Sequence, residues 1–374
     1  MNRSFMSKAP CKPPKPAPPL KLRSTPIPWW QVTKCLPHSV DILKDRHAFF
    51  HAGMVAGKKM KTKQKTNGLK ARVGVLGMGI MGGAMAETLL AHDFPVTGFD
   101  IDPKARARLN KAGGKAMTNV ADVACQSDVL IISLPSSKAL AKVTEALVSM
   151  PRSTWTQPPI VIEASTLPLA DKEAFANSLR KLGITTLDSP VSGTAVRIRA
   201  RDWTFFVSGP QKAYRTVLPV LNAFTDNVAY VGPFGNGMKM KFVANHLVAV
   251  YNVAYAESIT FARKMGLDPE EVLQLFGNSP VLGTGLMRLR MPMMVARNYL
   301  PATMKVDVWQ KDMAVIAQMA TQVNCPIPLF ATCAPIFNSA MAMGKALEDT
   351  ASAAEVLLVM AGIPAAPSKL AESS

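Results

Sequence analysis

Apolar and polar positions change period twice along this chain. Val73-Gly74-Val75-Leu76 is a continuous apolar run that ends in a glycine cluster, and residues 85–90, rich in Ala and Leu, follow at helical spacing. Pro95-Val96-Thr97-Gly98-Phe99-Asp100 reads as a second strand, and residues 129–134 read as a later one buried on both faces. Further strands are expected at residues 159–162, 185–187 and 204–207. Strands that alternate with helices of about a dozen residues predict a parallel sheet covered on both faces. Beyond Gly237 the strand signals stop, and Ala, Met and Val recur at helical spacing to about Gly362. The expected class is an α/β doubly wound sheet over residues 69–232, followed by an all-α C-terminal domain over residues 233–374. No internal repeat is visible.

Residues 1–68 break the pattern. Nine prolines precede residue 40, and Lys58, Lys59, Lys61, Lys63 and Lys65 form a basic run, so the segment cannot bury enough apolar surface to fold alone. The formal charge of +18 is concentrated here, with 14 Lys or Arg against Asp41 and Asp45; the other residues hold 29 against 23. Three readings stand open. An import peptide would be acid-poor, as this segment is, but its prolines break any amphipathic helix. An arm for nucleic acid or a membrane surface is suggested by the Lys run and Trp29-Trp30. Initiation at Met54 or Met60 asks nothing of the tail and is the preferred reading.

Composition excludes several classes. With 48% hydrophobic and 18% charged residues the chain is not of the disordered kind. It has no apolar run of about eighteen residues, so no membrane span is expected. Cys11, Cys35, Cys125, Cys325 and Cys333 are odd in number and scattered without C-x-x-C spacing, which points to a reducing, cytoplasmic compartment. The histidines are equally scattered, and no metal site is expected.

Four strings carry chemistry. Gly77-Met78-Gly79-Ile80-Met81-Gly82 is a G-x-G-x-x-G between a predicted strand and a predicted helix. There the first glycine permits a tight turn, the second lets backbone approach a pyrophosphate and the third lets helix pack on strand. Asp100, at the end of the second strand, can accept hydrogen bonds from an adenosine ribose and would repel a 2′-phosphate, so NAD is favoured over NADP, although Lys104 or Arg106 can compensate. Glu163-Ala164-Ser165-Thr166-Leu167-Pro168 follows a strand, where hydroxyls can meet a ligand or equally cap a helix. In Asp188-Ser189-Pro190-Val191-Ser192-Gly193, the hydroxyl of Ser192 and the backbone of Gly193 make either a small anion nest or a plain loop. The fourth string, from Gly235 to Asn245, places Lys241 and Asn245 on one helical face and Lys239 elsewhere. Among Phe242, Val243, Leu247 and Val248 the Lys241 amine should be desolvated and its pKa lowered, which suits a proton donor and acceptor; a snorkelling lysine is the alternative.

Together with Lys311-Asp312, these strings resemble the β-hydroxyacid dehydrogenase family over residues 70–345. That family includes 3-hydroxyisobutyrate dehydrogenase, tartronate semialdehyde reductase and, more distantly, 6-phosphogluconate dehydrogenase. The resemblance implies a Rossmann-type domain, a long interdomain helix and a helical domain that mediates assembly as a homodimer or homotetramer. It implies Lys241 as catalytic acid/base with Asn245 orienting the substrate, and Ser192, Gly193 and Thr194 at the substrate carboxylate. The cofactor would be held by Gly77, Gly79, Ile80, Met81, Gly82, Asp100, Leu134, Pro135, Thr166 and Lys311. The implied reaction is hydride transfer between NAD(H) and a small 3-hydroxy acid or its semialdehyde, with no membrane or nucleic-acid partner.

This chain departs from the family pattern in places. Thr194 stands where a second glycine is usual, Ala244 replaces the first of an Asn pair, and Arg197, Arg199 and Arg201 occupy a stretch where small residues are common. Arg197 is placed to meet a second anionic group on the substrate, whereas Arg199 and Arg201 read as a solvated loop. Two alternatives are carried. An imine reductase shares this architecture but commonly replaces the lysine retained here. A catalytically silent module would bind nucleic acid or chromatin through the basic tail.

Overall fold

A computed structural model describes residues 70–366, except 152, 154–156, 195–197 and 199. The tail at 1–68, with its Lys run and Trp29-Trp30, lies outside the described residues, as do Arg197 and Arg199.

Six strands form one parallel sheet: β1 (Val73–Leu76), β2 (Val96–Phe99), β3 (Lys115–Ala116), β4 (Val129–Ile132), β5 (Ile160–Glu163) and β6 (Thr186–Asp188), in the order β3-β2-β1-β4-β5-β6. Residue parity sends side chains to opposite faces. Val73, Val75, Val129 and Ile131 enter one core, while Leu76, Leu130 and Ile132 enter the other. Helices α1 (Ile80–Ala91), α2 (Pro103–Lys111), α3 (Val120–Cys125), α4 (Ser137–Val148) and α5 (Leu169–Arg180) are the crossovers between these strands. The order reverses between β1 and β4, so ligands are expected beyond the carboxyl ends of those strands.

The strand predicted at 204–207 forms, but outside the main sheet. β7 (Val191–Ser192) pairs antiparallel with β8 (Thr204–Val207), which pairs parallel with β9 (Val228–Tyr230). Pro190, which has no N–H for a ladder, separates β6 from β7. Trp203, Phe205 and Phe224 pack at tilted angles with ring centroids 5.5–6.2 Å apart and fill the core behind this sheet. Helix α6 (Gln211–Leu221) joins β8 to β9.

From residue 236 the described chain is helical. α7 (Asn236–Lys264) runs for 29 residues and is followed by α8 (Pro269–Gly277), α9 (Gly285–Ala296), α10 (Val306–Gln322), α11 (Pro328–Ala342) and α12 (Ala353–Met360). One core joins Met238, Phe242 and Ala249 of α7 to Trp309, Met313, Phe330 and Phe337. A second joins Tyr255, Ala256 and Ile259 to Met287, Met291 and Met294. Among the described residues, no helix is long and apolar enough to cross a membrane.

Candidate active site

The glycine loop joins β1 to α1 as its spacing predicts. Gly77 has φ +83°, and a Cβ there would lie 2.2 Å from the Ser133 carbonyl oxygen. At Gly82 a Cβ would lie 1.9 Å from the Gly77 carbonyl oxygen, so helix and strand approach more closely than a side chain allows. Gly79 differs: a Cβ built there meets nothing within 4 Å among the described residues. Ile80, beside it, is 70% exposed, and no side chain among the described residues caps α1. The loop therefore presents an open helix N-terminus with its uncapped N–H groups and positive dipole end, the environment a pyrophosphate requires. Met81 is half-buried in the first turn. These residues fit a dinucleotide.

Asp100, just beyond β2, faces this loop. Its carboxylate accepts hydrogen bonds from the backbone N–H of Met78 at 2.6 Å and of Asp102 at 2.8 Å. Each carboxylate oxygen keeps further acceptor capacity, enough for ribose hydroxyls. Arg106 instead donates to the carbonyls of Asp100 and Ile101 and lies over the Phe99 ring.

The ends of β4 and β5 are tied together. Ser165 is buried, and its hydroxyl accepts from the backbone N–H of Leu134 at 2.8 Å. This bond fixes the Leu134-Pro135 turn against the loop that holds Thr166, which is half-buried. Pro168, not Ser165 or Thr166, occupies the cap position of α5, so both hydroxyls are released from capping duty.

Ser192 ends β7 and is half-buried, while Gly193 is exposed with φ +140°. A Cβ at Gly193 would sit 2.5 Å from the Trp203 ring, whose Nε1 donates to the Thr194 carbonyl at 2.7 Å. The turn is thus built on Trp203. The Thr194 hydroxyl is buried and has no hydrogen-bond partner among the described residues. Arg201 donates to Asp226 and to the carbonyls of Asn222 and Ala223, which makes it a brace for the loop before β9.

On α7, Lys241 and Asn245 are buried at 8% and 4% exposure while Lys239 is exposed, as one shared helical face requires. Burial pushes the Lys241 amine down to about 8; Asp312 opposes that shift and Lys311 adds to it. Asn245 donates its amide to Asp312 Oδ2 at 2.8 Å. Burial raises the Asp312 carboxyl, against the pull of Lys311, Lys241 and the Asn245 hydrogen bond. Lys311 Nζ stands 3.8 Å from Asp312 Oδ1 and remains about one-third exposed. An amine that exchanges a proton near neutral pH, beside an amide whose N–H is anchored and whose oxygen can turn to a ligand, is equipped for proton transfer at a hydroxyl or carbonyl.

Of the residues singled out from the sequence, the structure brings Lys241, Asn245 and Lys311 into one cluster. It joins Leu134 to the Ser165-Thr166 loop, and Asp100 to the glycine loop. Asp312 went unassigned by sequence reasoning; the signal available was a carboxylate inside the apolar spacing of α10.

Residues 72–232 match the family model of the NAD binding domain of 6-phosphogluconate dehydrogenase. Residues 235–357 match that of the NAD-binding of NADP-dependent 3-hydroxyisobutyrate dehydrogenase. L-threonate dehydrogenase from Cupriavidus necator is 29% identical over 292 residues, which is 77% of this chain and 96% of that protein. The crystal structure of 3-hydroxyisobutyrate dehydrogenase from Salmonella typhimurium superposes with a TM-score of 0.67 at 28% identity, covering 77% of this chain and 100% of that one. An imine reductase from Pseudomonas sp. shares the fold at a TM-score of 0.53 and 20% identity, over 77% of this chain and 99% of its own.

Proposed function

We propose, for a chain that belongs to the β-hydroxyacid dehydrogenase family and is an NAD(P)-dependent oxidoreductase acting on hydroxy acids, that Lys241 is the acid/base of a reaction between NAD(H) and a small 3-hydroxy acid or its semialdehyde. The observation that carries this reading is the burial of Lys241 beside the Asn245–Asp312 pair, with its amine lowered to about 8. A nicotinamide cofactor, when bound, accepts or supplies the hydride at the carbinol carbon. In oxidation the neutral Lys241 amine takes the hydroxyl proton as the carbonyl forms; in reduction its ammonium returns a proton to the carbonyl oxygen. Asn245, held by Asp312, orients the reacting oxygen, and Ser192, Gly193 and Thr194 hold the carboxylate, which selects the carbon that is presented.

The cofactor seat is assigned to Gly77, Gly79, Ile80, Met81 and Gly82 at the pyrophosphate, Leu134 and Pro135 on the adenosine side, Thr166 at the nicotinamide ribose and Lys311 over the cofactor. NAD is the preferred form because the Asp100 carboxylate is anchored by two backbone N–H groups where a 2′-phosphate would have to lie. A homodimer or homotetramer fits the apolar stripe Val243, Leu247 and Tyr251, exposed by 61%, 43% and 38% on α7. A cytoplasmic setting fits the free thiols of Cys125, Cys325 and Cys333.

The test is nicotinamide absorbance with purified protein, NAD and NADP each run against 3-hydroxy acids, sugar acids and semialdehydes, with Lys241→Ala as control. Turnover that prefers NAD and vanishes in the variant is expected. Cofactor binding without turnover on the whole panel would favour imine reduction instead.

A further inference from the structure

Three charged side chains at the junction of the sheet and α7 are shut off from water. Glu163 at the end of β5, Asp188 at the end of β6 and Lys172 on α5 are each 0% exposed. Lys172 Nζ lies 2.7 Å from Glu163 Oε2 and 2.5 Å from Asp188 Oδ1, and donates to the Ser165 carbonyl at 2.9 Å. Burial alone would lower the Lys172 pKa, but the two carboxylates prevail and raise it, so the ammonium is kept. Isolating three charges from water is costly, and apolar side chains of similar volume would fill this space at less expense in stability. The arrangement therefore calls for a reason beyond packing.

That reason lies in what the second oxygen of each carboxylate holds. Glu163 Oε1 accepts from the backbone N–H of Ser165 at 3.0 Å, the residue before Thr166. Asp188 Oδ2 accepts from the backbone N–H of Met238 at 2.8 Å and from the Ser208 hydroxyl at 3.1 Å, and that hydroxyl accepts from the N–H of Gly237 at 2.9 Å. Gly237 and Met238 lie in the first turn of α7, and Lys241 follows three residues after Met238. A Cβ at Gly237 would lie 2.3 Å from the Phe206 carbonyl oxygen, so the helix start is pressed against the small sheet as well as bonded to it. A single ammonium thus grips two carboxylates, one seated on the loop of Thr166 and the other on the first turn of the helix that carries Lys241.

We propose that Lys172, Glu163 and Asp188 are positioning residues that set the separation between Thr166 and Lys241. The proposal rests on the assignment of those two residues to the nicotinamide ribose and to proton transfer. None of the three touches a ligand; each acts through backbone. Because a misplacement of about 1 Å can cost about a hundredfold in rate, a rigid tether at this point governs turnover more than binding.

The test uses full-length protein with Asp188→Asn, which keeps an acceptor for Met238 and removes the charge that grips Lys172, and the milder Ser208→Ala, which removes the acceptor for Gly237 and one neutral donor to Asp188 but leaves all three charges in place. Three quantities are measured: kcat, NADH affinity by fluorescence, and amide hydrogen exchange by peptide. The expected result for Asp188→Asn is a kcat loss of about 10- to 100-fold with NADH affinity within about threefold, and faster exchange at both residues 163–166 and 236–241 while β1 and β4 keep wild-type protection. Ser208→Ala should change in the same direction by less. Wild-type kcat in folded Asp188→Asn, faster exchange at only one of the two segments, or an even rise across the whole sheet would overturn the proposal. Exchange needs no substrate, so if wild-type protein turns nothing over, the function assigned above fails while paired loosening of the two segments still upholds the tether.

Discussion

Asn245 and Asp312, separated by 67 positions in the chain, meet through one hydrogen bond of 2.8 Å that joins α7 to α10. The bond fixes an amide whose partner helix residue, Lys241, is one turn away on the same buried face. It also puts a carboxylate where it raises the Lys241 pKa, with Lys311 pulling the other way. Proton affinity at this site is therefore lowered first by burial and then tuned by two adjacent residues of opposite sign on α10.

Activity should follow the protonation of Lys241. Oxidation needs the neutral amine, so its kcat/KM rises with pH and levels above about 8; reduction needs the ammonium and falls above the same point. Initial rates in both directions between pH 6 and 10 check this, and an oxidation limb that is flat through that range would remove Lys241 from proton transfer.

Asp312→Asn and Lys311→Met should displace that limb in opposite directions. Removing the carboxylate withdraws a charge that favours the ammonium, so the oxidation limb moves below about 8; removing the Lys311 ammonium relieves repulsion and moves it above. The amide introduced by Asp312→Asn keeps an acceptor for Asn245, so its main effect is on the pH profile rather than on substrate KM. Limbs that move together would show that the two side chains act on Lys241 through structure and not through charge.

What was legible from sequence is what depends on short range. The apolar run before Gly77, the spacing to Gly82 and the carboxylate of Asp100 all lie within one βαβ unit, and the structure reproduces them. The shared face of Lys241 and Asn245 follows from helical periodicity alone. β3, β7 and β9 were not predicted because two or three residues show no period, and their pairing comes from neighbours distant in the chain. Lys172 and the role of Asp312 escape sequence reading for a related reason: each lies in an ordinary helical stretch, and its role appears only when partners 67 residues away, or on two separate strands, are brought against it.

The two helix-side glycines of the loop should fail differently. Gly82→Ala puts a methyl 1.9 Å from the Gly77 carbonyl oxygen and is expected to destabilise the fold by about 1–3 kcal/mol, a usual cost of overpacking. Gly79→Ala meets nothing within 4 Å among the described residues, so its melting temperature should stay near wild type while NADH affinity falls at least about tenfold, because the added methyl occupies the space a pyrophosphate needs. Thermal melts paired with NADH fluorescence titrations read both, and unchanged NADH binding in Gly79→Ala would place the cofactor elsewhere.

Asp100→Ala should relax cofactor choice. The substitution removes the acceptor for ribose hydroxyls and the charge that repels a 2′-phosphate, while Arg106 of α2 keeps its guanidinium on the backbone carbonyls just beyond β2. The ratio of kcat/KM for NADP to that for NAD is expected to rise by at least about tenfold, mostly through loss with NAD. A ratio unchanged from wild type would mean that Asp100 serves only to hold Met78 and Asp102.

Lys241→Met should stabilise the protein as it abolishes turnover. The Lys241 ammonium is disfavoured by burial, so its pKa of about 8 in the folded chain lies below its ordinary value of 10.5. Below pH 8 both folded and unfolded chains carry the proton, and the folded state bears the full penalty, roughly 3 kcal/mol at about 1.4 kcal/mol per pH unit. Between pH 8 and 10.5 the unfolded chain binds more protons than the folded one, so wild-type stability from this residue rises with pH until the penalty is gone. The methionine variant carries no such penalty at any pH and fills the same apolar face. Its gain in thermal midpoint over wild type should therefore be greatest at pH 7 and shrink steadily toward pH 10.5. A variant less stable than wild type at pH 7, or a gain that grows with pH, would show that the Lys241 ammonium is stabilised in the fold, and the proton-transfer role would lose its physical basis.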